Sequence, residues 1–150
     1  MGTNKYETQI RVDINPSYEW SEQARELGVS HRELEVLALV VEGYKNKEIA
    51  RILGIQHQSV KNHLQHLFKK LSVENSTQAY IIALNLNLIK MRVAVVGHED
   101  VSTTEITGQE WIEHFRKVIS GEVKVERFSE KDRRWLKVWL KEHGFEPYRW

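Results

Sequence analysis

The stretch "IARILGIQHQSVKNHLQHLFKKLSV", Ile49 to Val73, decides the fold. Apolar residues recur in it at helical spacing: Ile49, Ala50 and Leu53 before Gly54, then Val60, Leu64, Leu67, Phe68 and Leu71 after it. A short helix, a turn around a glycine and a longer helix make a helix-turn-helix. The residues between the apolar positions are unusual. From Gly54 to Ser72 they include three lysines, three histidines and four amides (Gln56, Gln58, Asn62 and Gln65), with no acid. With the apolar stripe of the second helix, His57 to about Leu71, turned inward, Lys61, Asn62, Gln65 and Lys69 point outward together. An exposed helix of this composition suits a major groove, where amides and lysines read base edges and carboxylates would be repelled by phosphate.

The flanks extend the helical pattern in both directions. Ser30 followed by Glu33 is a capping box, with Val29 placed to staple onto Leu34, and it opens a helix on Leu34, Leu37, Ala38 and Val41 that stops at Gly43. Asn46 is a candidate cap for the Ile49–Leu53 helix. Asn75 with Gln78 caps a further helix running to about Leu88. Nearer the N-terminus, "TQIRVDI", Thr8 to Ile14, alternates apolar and polar residues as a strand does, and Asn15-Pro16 stops it. Ser17 to Leu27 then turns helical, with Gly28 as its stop.

The 150 residues are enough for one ordinary domain or two small ones, and 41% apolar with 29% charged side chains reads as soluble and globular. The absence of cysteine excludes disulfides and thiolate metal sites. No signal-peptide layout and no uncharged apolar run of membrane-spanning length is present, so a cytoplasmic protein with no membrane contact is expected. The net charge of +1 hides an uneven distribution: −2 over residues 1–30, +3 over 31–90 and zero over 91–150. The basic middle segment is a weak footprint of nucleic-acid contact, and on charge alone a solvated helix face explains it equally well.

The pieces "SHRELEVLALVVEGYKNKEIARILGI" and "SVKNHLQHLFKKLSVENSTQAYIIALNLNLI" together resemble the LuxR/FixJ-type DNA-binding domain, over residues 28–89. The resemblance rests on "RELEVL", "EG-x-x-NKEIA", "VKNHL", "KKL-x-V" and "N-x-T-x-A". Region 4 of sigma factors shares the first part but lacks the continuation into a fourth helix. The resemblance implies a transcription regulator that binds double-stranded DNA, with Lys61, Asn62 and Gln65 at base-contacting positions. It implies backbone contacts for Gln58, Ser59 and Lys69, and places Tyr44, Asn46 and Lys47 near the flanking backbone. It also implies a homodimer through the fourth helix, where Tyr80, Ile81, Leu84 and Leu88 are extra to the expected core residues Ala79, Ile82, Ala83 and Leu86. Packing against the C-terminal region is an equal explanation of that surplus. Two positions depart from the family pattern: Gln56 replaces the usual serine or threonine cap, and His31 replaces a frequent proline. The roughly 28 residues before the domain are too few for the receiver or ligand-sensing domain that family members commonly carry.

Past Ile89 the resemblance ends. "MRVAVVG" reads as a buried strand, "STTEIT" as a loop, and Thr107 with Glu110 as the cap of a helix on Trp111, Ile112, Phe115, Val118 and Ile119. "EVKVERF" reads as a strand, and Ser129 caps a last helix carrying Trp135, Leu136, Trp139 and Leu140 up to Gly144. "RVAVVG" resembles the first strand of a nucleotide-binding fold, but the residues after it lack the glycine spacing a pyrophosphate needs. His63 and His66 share a helix without a third metal ligand, and no catalytic constellation is present. The tryptophans are most simply core or interface aromatics. The expected architecture is therefore mainly α. It comprises an N-terminal strand and helix (1–27), a four-helix LuxR-type domain (28–89) and a small α+β module (90–150) whose sheet the N-terminal strand could join. The expected protein is not an enzyme and binds no cofactor or metal. A different class of function, a protein-interaction adaptor docking on polymerase or another partner, would need an apolar face where Lys61, Asn62 and Gln65 point outward. RNA polymerase is a candidate partner under either reading.

Overall fold

In the computed structural model, residues 7–97, 100–106 and 129–144 are described. The elements are β1 (Glu7–Ile14), a 3-10 turn (Ser17–Glu19), α1 (Glu22–Glu26), α2 (His31–Val41), α3 (Asn46–Leu53), α4 (His57–Leu71), α5 (Ser76–Asn85), β2 (Ile89–Gly97), β3 (Asp100–Ile106) and α6 (Glu130–Glu142). The chain divides into two compact units, Met1–Thr107 and Gly108–Trp150. The sheet strands β2 and β3 thus stay with the four-helix segment.

The helix boundaries follow from local chemistry. Ser30 Oγ accepts the Glu33 N–H at 3.1 Å while Glu33 Oε1 accepts the Ser30 N–H at 2.9 Å, the reciprocal box expected at the start of α2. Asn46 does not cap α3; it is the first helical residue, and Glu48 Oε1 reaches back to the Lys45 N–H at 3.0 Å. The acid at the third helical position thus satisfies the N–H just before the helix, and no side chain among the described residues caps the first-turn N–H groups. Between α3 and α4, Gly54 takes φ +66 in the left-handed region, which costs an L-residue with a Cβ about 1–2 kcal/mol. Asn75 Oδ1 accepts the Gln78 N–H at 2.9 Å and Gln78 Oε1 accepts the Glu74 N–H at 3.1 Å, opening α5. The Ser17–Leu27 segment is broken rather than continuous. Ser21 Oγ accepts the Ala24 N–H at 3.1 Å and starts α1 only after the 3-10 turn.

The buried side chains of the helical unit include Leu34, Val36, Leu37 and Val40 of α2, Ile49 of α3, and Val60, Leu64 and Leu67 of α4. Leu39, Tyr44, Leu53, Ile55 and Phe68 close over this cluster, partly buried. Each fully buried leucine is worth about 2 kcal/mol in transfer free energy, so the α2–α3–α4 contact contributes substantially to the stability of the helical unit. A half-buried ion pair ties the ends together. Lys70 Nζ, near the end of α4, lies 2.8 Å from Glu33 Oε2 and donates to the Gly28 carbonyl at 2.8 Å.

The sheet has the order β1-β2-β3, antiparallel throughout, with Val12 opposite Met91, Ile14 opposite Ile89 and Gly97 opposite Asp100. Ser102 to Ile106 of "STTEIT", read as a loop, lie instead in β3. The threonines suit a strand, and antiparallel pairing with β2 outweighs the polar composition. The N-terminal strand does join the sheet. The strand order also separates this hairpin from a nucleotide-binding βα unit, since β2 is followed by an antiparallel strand and not by a crossover helix. α2 packs along β1, and Glu42 Oε2 accepts the Val12 N–H at 2.9 Å, covering a donor on that outer strand. The buried Asn15 donates from Nδ2 to the Asn87 carbonyl at 2.9 Å, and its own carbonyl accepts the Trp20 indole N–H at 2.9 Å. This network ties the turn after β1 to the turn between α5 and β2.

The fourth helix differs from expectation. Tyr80, Ile81, Leu84 and Leu88, assigned as an apolar surplus on the surface, are only 4%, 0%, 7% and 0% exposed. Ile82 and Leu86, expected to face the core, are the half-exposed ones. The reason is topological. Asn87 turns left-handed at φ 59, so β2 follows at once, and α5 packs on β2 as well as on α2 and α4. Tyr80 Oη donates to Met91 Sδ at 3.3 Å across that contact, and burial pushes its phenol well above the ordinary tyrosine range.

In the second unit, Ser129 Oγ accepts the Asp132 N–H at 3.2 Å and starts α6 as expected. Leu136, Trp139 and Leu140 are buried. Trp139 stacks between Trp135, at 6.1 Å, and His143, at 4.2 Å. The expected helix from Thr107 with Trp111 and the expected strand "EVKVERF" lie outside the described residues.

Candidate nucleic-acid interface

The candidate interface is the side of α4 that does not enter the core. Val60, Leu64, Leu67 and Leu71 are the buried residues of α4. That commits one face and leaves Lys61, Asn62, Gln65 and Lys69 exposed together, as the helical period requires. Gln58 is exposed and Ser59 half-buried in the first turn. Gln56 precedes the helix without a side-chain capping bond, so the N-terminal backbone N–H groups of α4 depend on other acceptors. A helix N-terminus carries partial positive charge, and no acid stands in its first turn to offset it.

Two amides of this face are already oriented. Gln58 Nε2 donates to Asn62 Oδ1 at 3.1 Å, one helical turn away. That bond occupies one lone pair of Asn62 Oδ1 and leaves its NH2 group and a second lone pair open, the donor-and-acceptor pair that an adenine edge takes. The remaining cations differ in availability. Lys61 and Lys69 are exposed, whereas Lys70 is held by Glu33 and the Gly28 carbonyl.

The residues expected beside the backbone are at the start of α3. Lys47 is exposed, Asn46 is half-buried at the first helical position, and Tyr44 is half-buried against the core with its N–H on the Leu39 carbonyl at 3.0 Å. Tyr44 is thus partly spent on packing. His66, outside the set that the resemblance implies, also reaches this surface. It is exposed, four residues after Asn62 and therefore on the same face. The spacing Gln58, Asn62, His66 was the available signal. Among the described residues no group of three His, Cys, Asp or Glu is placed to hold a metal ion. No helix among them is long and apolar enough to cross a membrane. His31, at the position where a proline was expected, is exposed and stacks on Trp20 with ring centroids 5.5 Å apart.

One comparison with known proteins falls on this segment. The family model described as "Bacterial regulatory proteins, luxR family" matches residues 28–83. The chain is also similar to the response regulator protein VraR of Staphylococcus aureus. It is 34% identical over 89 residues, which cover 59% of this chain and 42% of that protein. The protein of the same name from Staphylococcus epidermidis gives the same identity and coverage. The chain therefore spans less than half the length of these relatives.

Proposed function

Residues 28–83 form a luxR-family helix-turn-helix domain, and from that premise we propose that the protein binds double-stranded DNA sequence-specifically as a transcription regulator. The observation that carries the reading is the outward face of α4. Lys61, Asn62, Gln65 and Lys69 are exposed on a helix fixed by its buried face, in a segment with no acid from Gly54 to Ser72. Lys61, Asn62 and Gln65 contact base edges in the major groove. Gln58, Ser59 and Lys69 contact phosphates, with Lys47, Asn46 and Tyr44 beside the flanking backbone. An adaptor surface is disfavoured because this face offers polar and cationic groups where a protein partner would require apolar ones.

A homodimer on an inverted repeat also belongs to this reading. With Tyr80, Ile81, Leu84 and Leu88 buried, the part of α5 left for a second copy is the edge formed by Ile82, Asn85 and Leu86. Half-sites about 10 bp apart would bring both α4 helices to one side of the duplex.

Selection of bound sites from random duplexes, followed by binding measurements on variants, tests the function. Asn62→Ala or Gln65→Ala is expected to cost roughly 1–3 kcal/mol and to relax preference at particular base pairs. Lys69→Gln is expected to weaken all sequences alike and to flatten the salt dependence. A wild-type protein with no sequence preference at moderate salt would rule the reading out.

A further inference from the structure

The second unit contains a cationic surface that the helix-turn-helix does not account for. α6 commits Leu136, Trp139 and Leu140 to burial. On its outer side Arg134 and Lys141 are exposed and Lys137 is half-exposed, at spacings of three and four residues that place them on one face. Two of the three acids of the helix are matched within it. Asp132 is buried in the Ser129 cap, and Glu130, exposed on this same face four residues before Arg134, is paired with Arg133 at 3.2 Å; Glu142 stands in the last turn. None of Arg134, Lys137 and Lys141 forms an ion pair among the described residues.

We infer that this face of α6 is a second, sequence-independent contact to the phosphate backbone of the duplex held by α4. The inference rests on the DNA-binding reading above. Cations near a helix C-terminus also complement the macrodipole, which explains Lys141. That effect fades within a turn of the end and does not explain Arg134 or Lys137 in mid-helix. At 1.5 Å rise per residue the three cations span about 10 Å, roughly three phosphate steps of one strand at 3.4 Å along the axis. In the first unit Lys70 is committed to Glu33, so Lys61 and Lys69 are the exposed lysines of α4, with Lys47 at the start of α3. A contact too weak to act alone becomes effective when tethered to a specific one. An anionic membrane is the less suitable occupant. Leu136, Trp139 and Leu140 of α6 are buried, and the exposed Val138 with the half-buried Trp135 makes only a narrow apolar face for a bilayer.

The test uses the full chain carrying Arg134→Gln, Lys137→Gln and Lys141→Gln together. Glutamine has similar helix propensity, and circular dichroism and a thermal melt verify the fold. Binding is measured by fluorescence anisotropy against the selected site and a scrambled duplex from 50 to 200 mM salt. The variant is expected to lose affinity by the same factor on both duplexes, with its preference between them unchanged. Its log K against log salt slope should be shallower by up to about 2.7, or about 0.9 per phosphate, so that the wild-type advantage shrinks roughly 40-fold over that salt range. Unchanged affinity and slope, with wild type still preferring its site, would overturn the second contact and leave the function standing. Loss of binding to phosphatidylserine vesicles with unchanged DNA binding would also overturn it, in favour of a membrane. A wild type that binds neither duplex removes both readings together.

Discussion

The Lys70 ammonium lies 2.8 Å and 3.0 Å from the two carboxylate oxygens of Glu33, which is only 3% exposed. The same carboxylate accepts the Ser30 N–H at 2.9 Å, so one acid both caps α2 and anchors the end of α4. Removing the cation leaves a buried carboxylate without its counter-charge. Lys70→Met is therefore expected to destabilise the first unit by roughly 1–3 kcal/mol, less than a wholly buried pair because Lys70 itself is partly solvated. A lower urea midpoint at unchanged m-value checks it. In a double-mutant cycle with Glu33→Gln, the two costs should not add, because both variants break one contact.

The burial of α5 separates two kinds of substitution. Leu88→Lys places an unpaired ammonium where the native side chain is 0% exposed, and is expected to unfold the first unit or cost more than about 4 kcal/mol. Ile82→Lys or Leu86→Lys, at half-exposed positions, is expected to leave the fold intact and to shift a dimer toward monomer. Light scattering alongside circular dichroism distinguishes them. Monomers for wild type, both free and on its DNA site, would remove the dimer from the proposal.

The sheet makes the helical unit depend on residues beyond Ile89. Met91 is wholly buried, stands opposite Val12 and accepts the Tyr80 hydroxyl hydrogen bond. Truncation after Ile89 would delete nearly all of β2, strand β1 would lose its partner, and α5 would be uncovered. Such a fragment is expected to lose its cooperative thermal transition, while truncation after Thr107, at the boundary between the units, retains it. Equal melting behaviour of the two fragments would contradict this dependence.

The unequal legibility of these elements has a physical basis. α2 and α4 could be read directly because a capping box and a long apolar stripe are local signals, and local sequence contains all of their information. The outward set on α4 followed from the same periodicity. α5 could not be oriented that way. Its ten residues "STQAYIIALN" are apolar around most of the circumference, and which side is covered is decided by a strand that arrives only after the left-handed turn at Asn87. β3 was missed because its threonines and acids carry no alternating apolar face; pairing with β2 defines it. Lys70 is one of the three lysines counted between Gly54 and Ser72, and nothing in the sequence sets it apart from the other two. Only the tertiary structure shows Glu33, thirty-seven residues earlier, holding it.

The buried phenol of Tyr80 leads to a prediction about alkaline stability. Tyr80 is 4% exposed, and desolvation raises its pKa far above the ordinary value of 10.0 in the folded chain. In the unfolded chain the phenol is solvated and loses its proton near pH 10. Above that pH the unfolded state binds fewer protons than the folded one, so stability falls as pH rises. The contribution is fully present below pH 10, and its loss begins there. Tyr80→Phe removes the titrating group together with the hydroxyl's hydrogen bond to Met91 Sδ. The variant is expected to be slightly less stable than wild type at pH 7, by about 0.5–1.5 kcal/mol. It should lose stability less steeply between about pH 10 and 11.5. Urea titrations of both proteins across that range supply the measurement, and parallel pH profiles would show that Tyr80 ionises as freely in the folded chain as in the unfolded one.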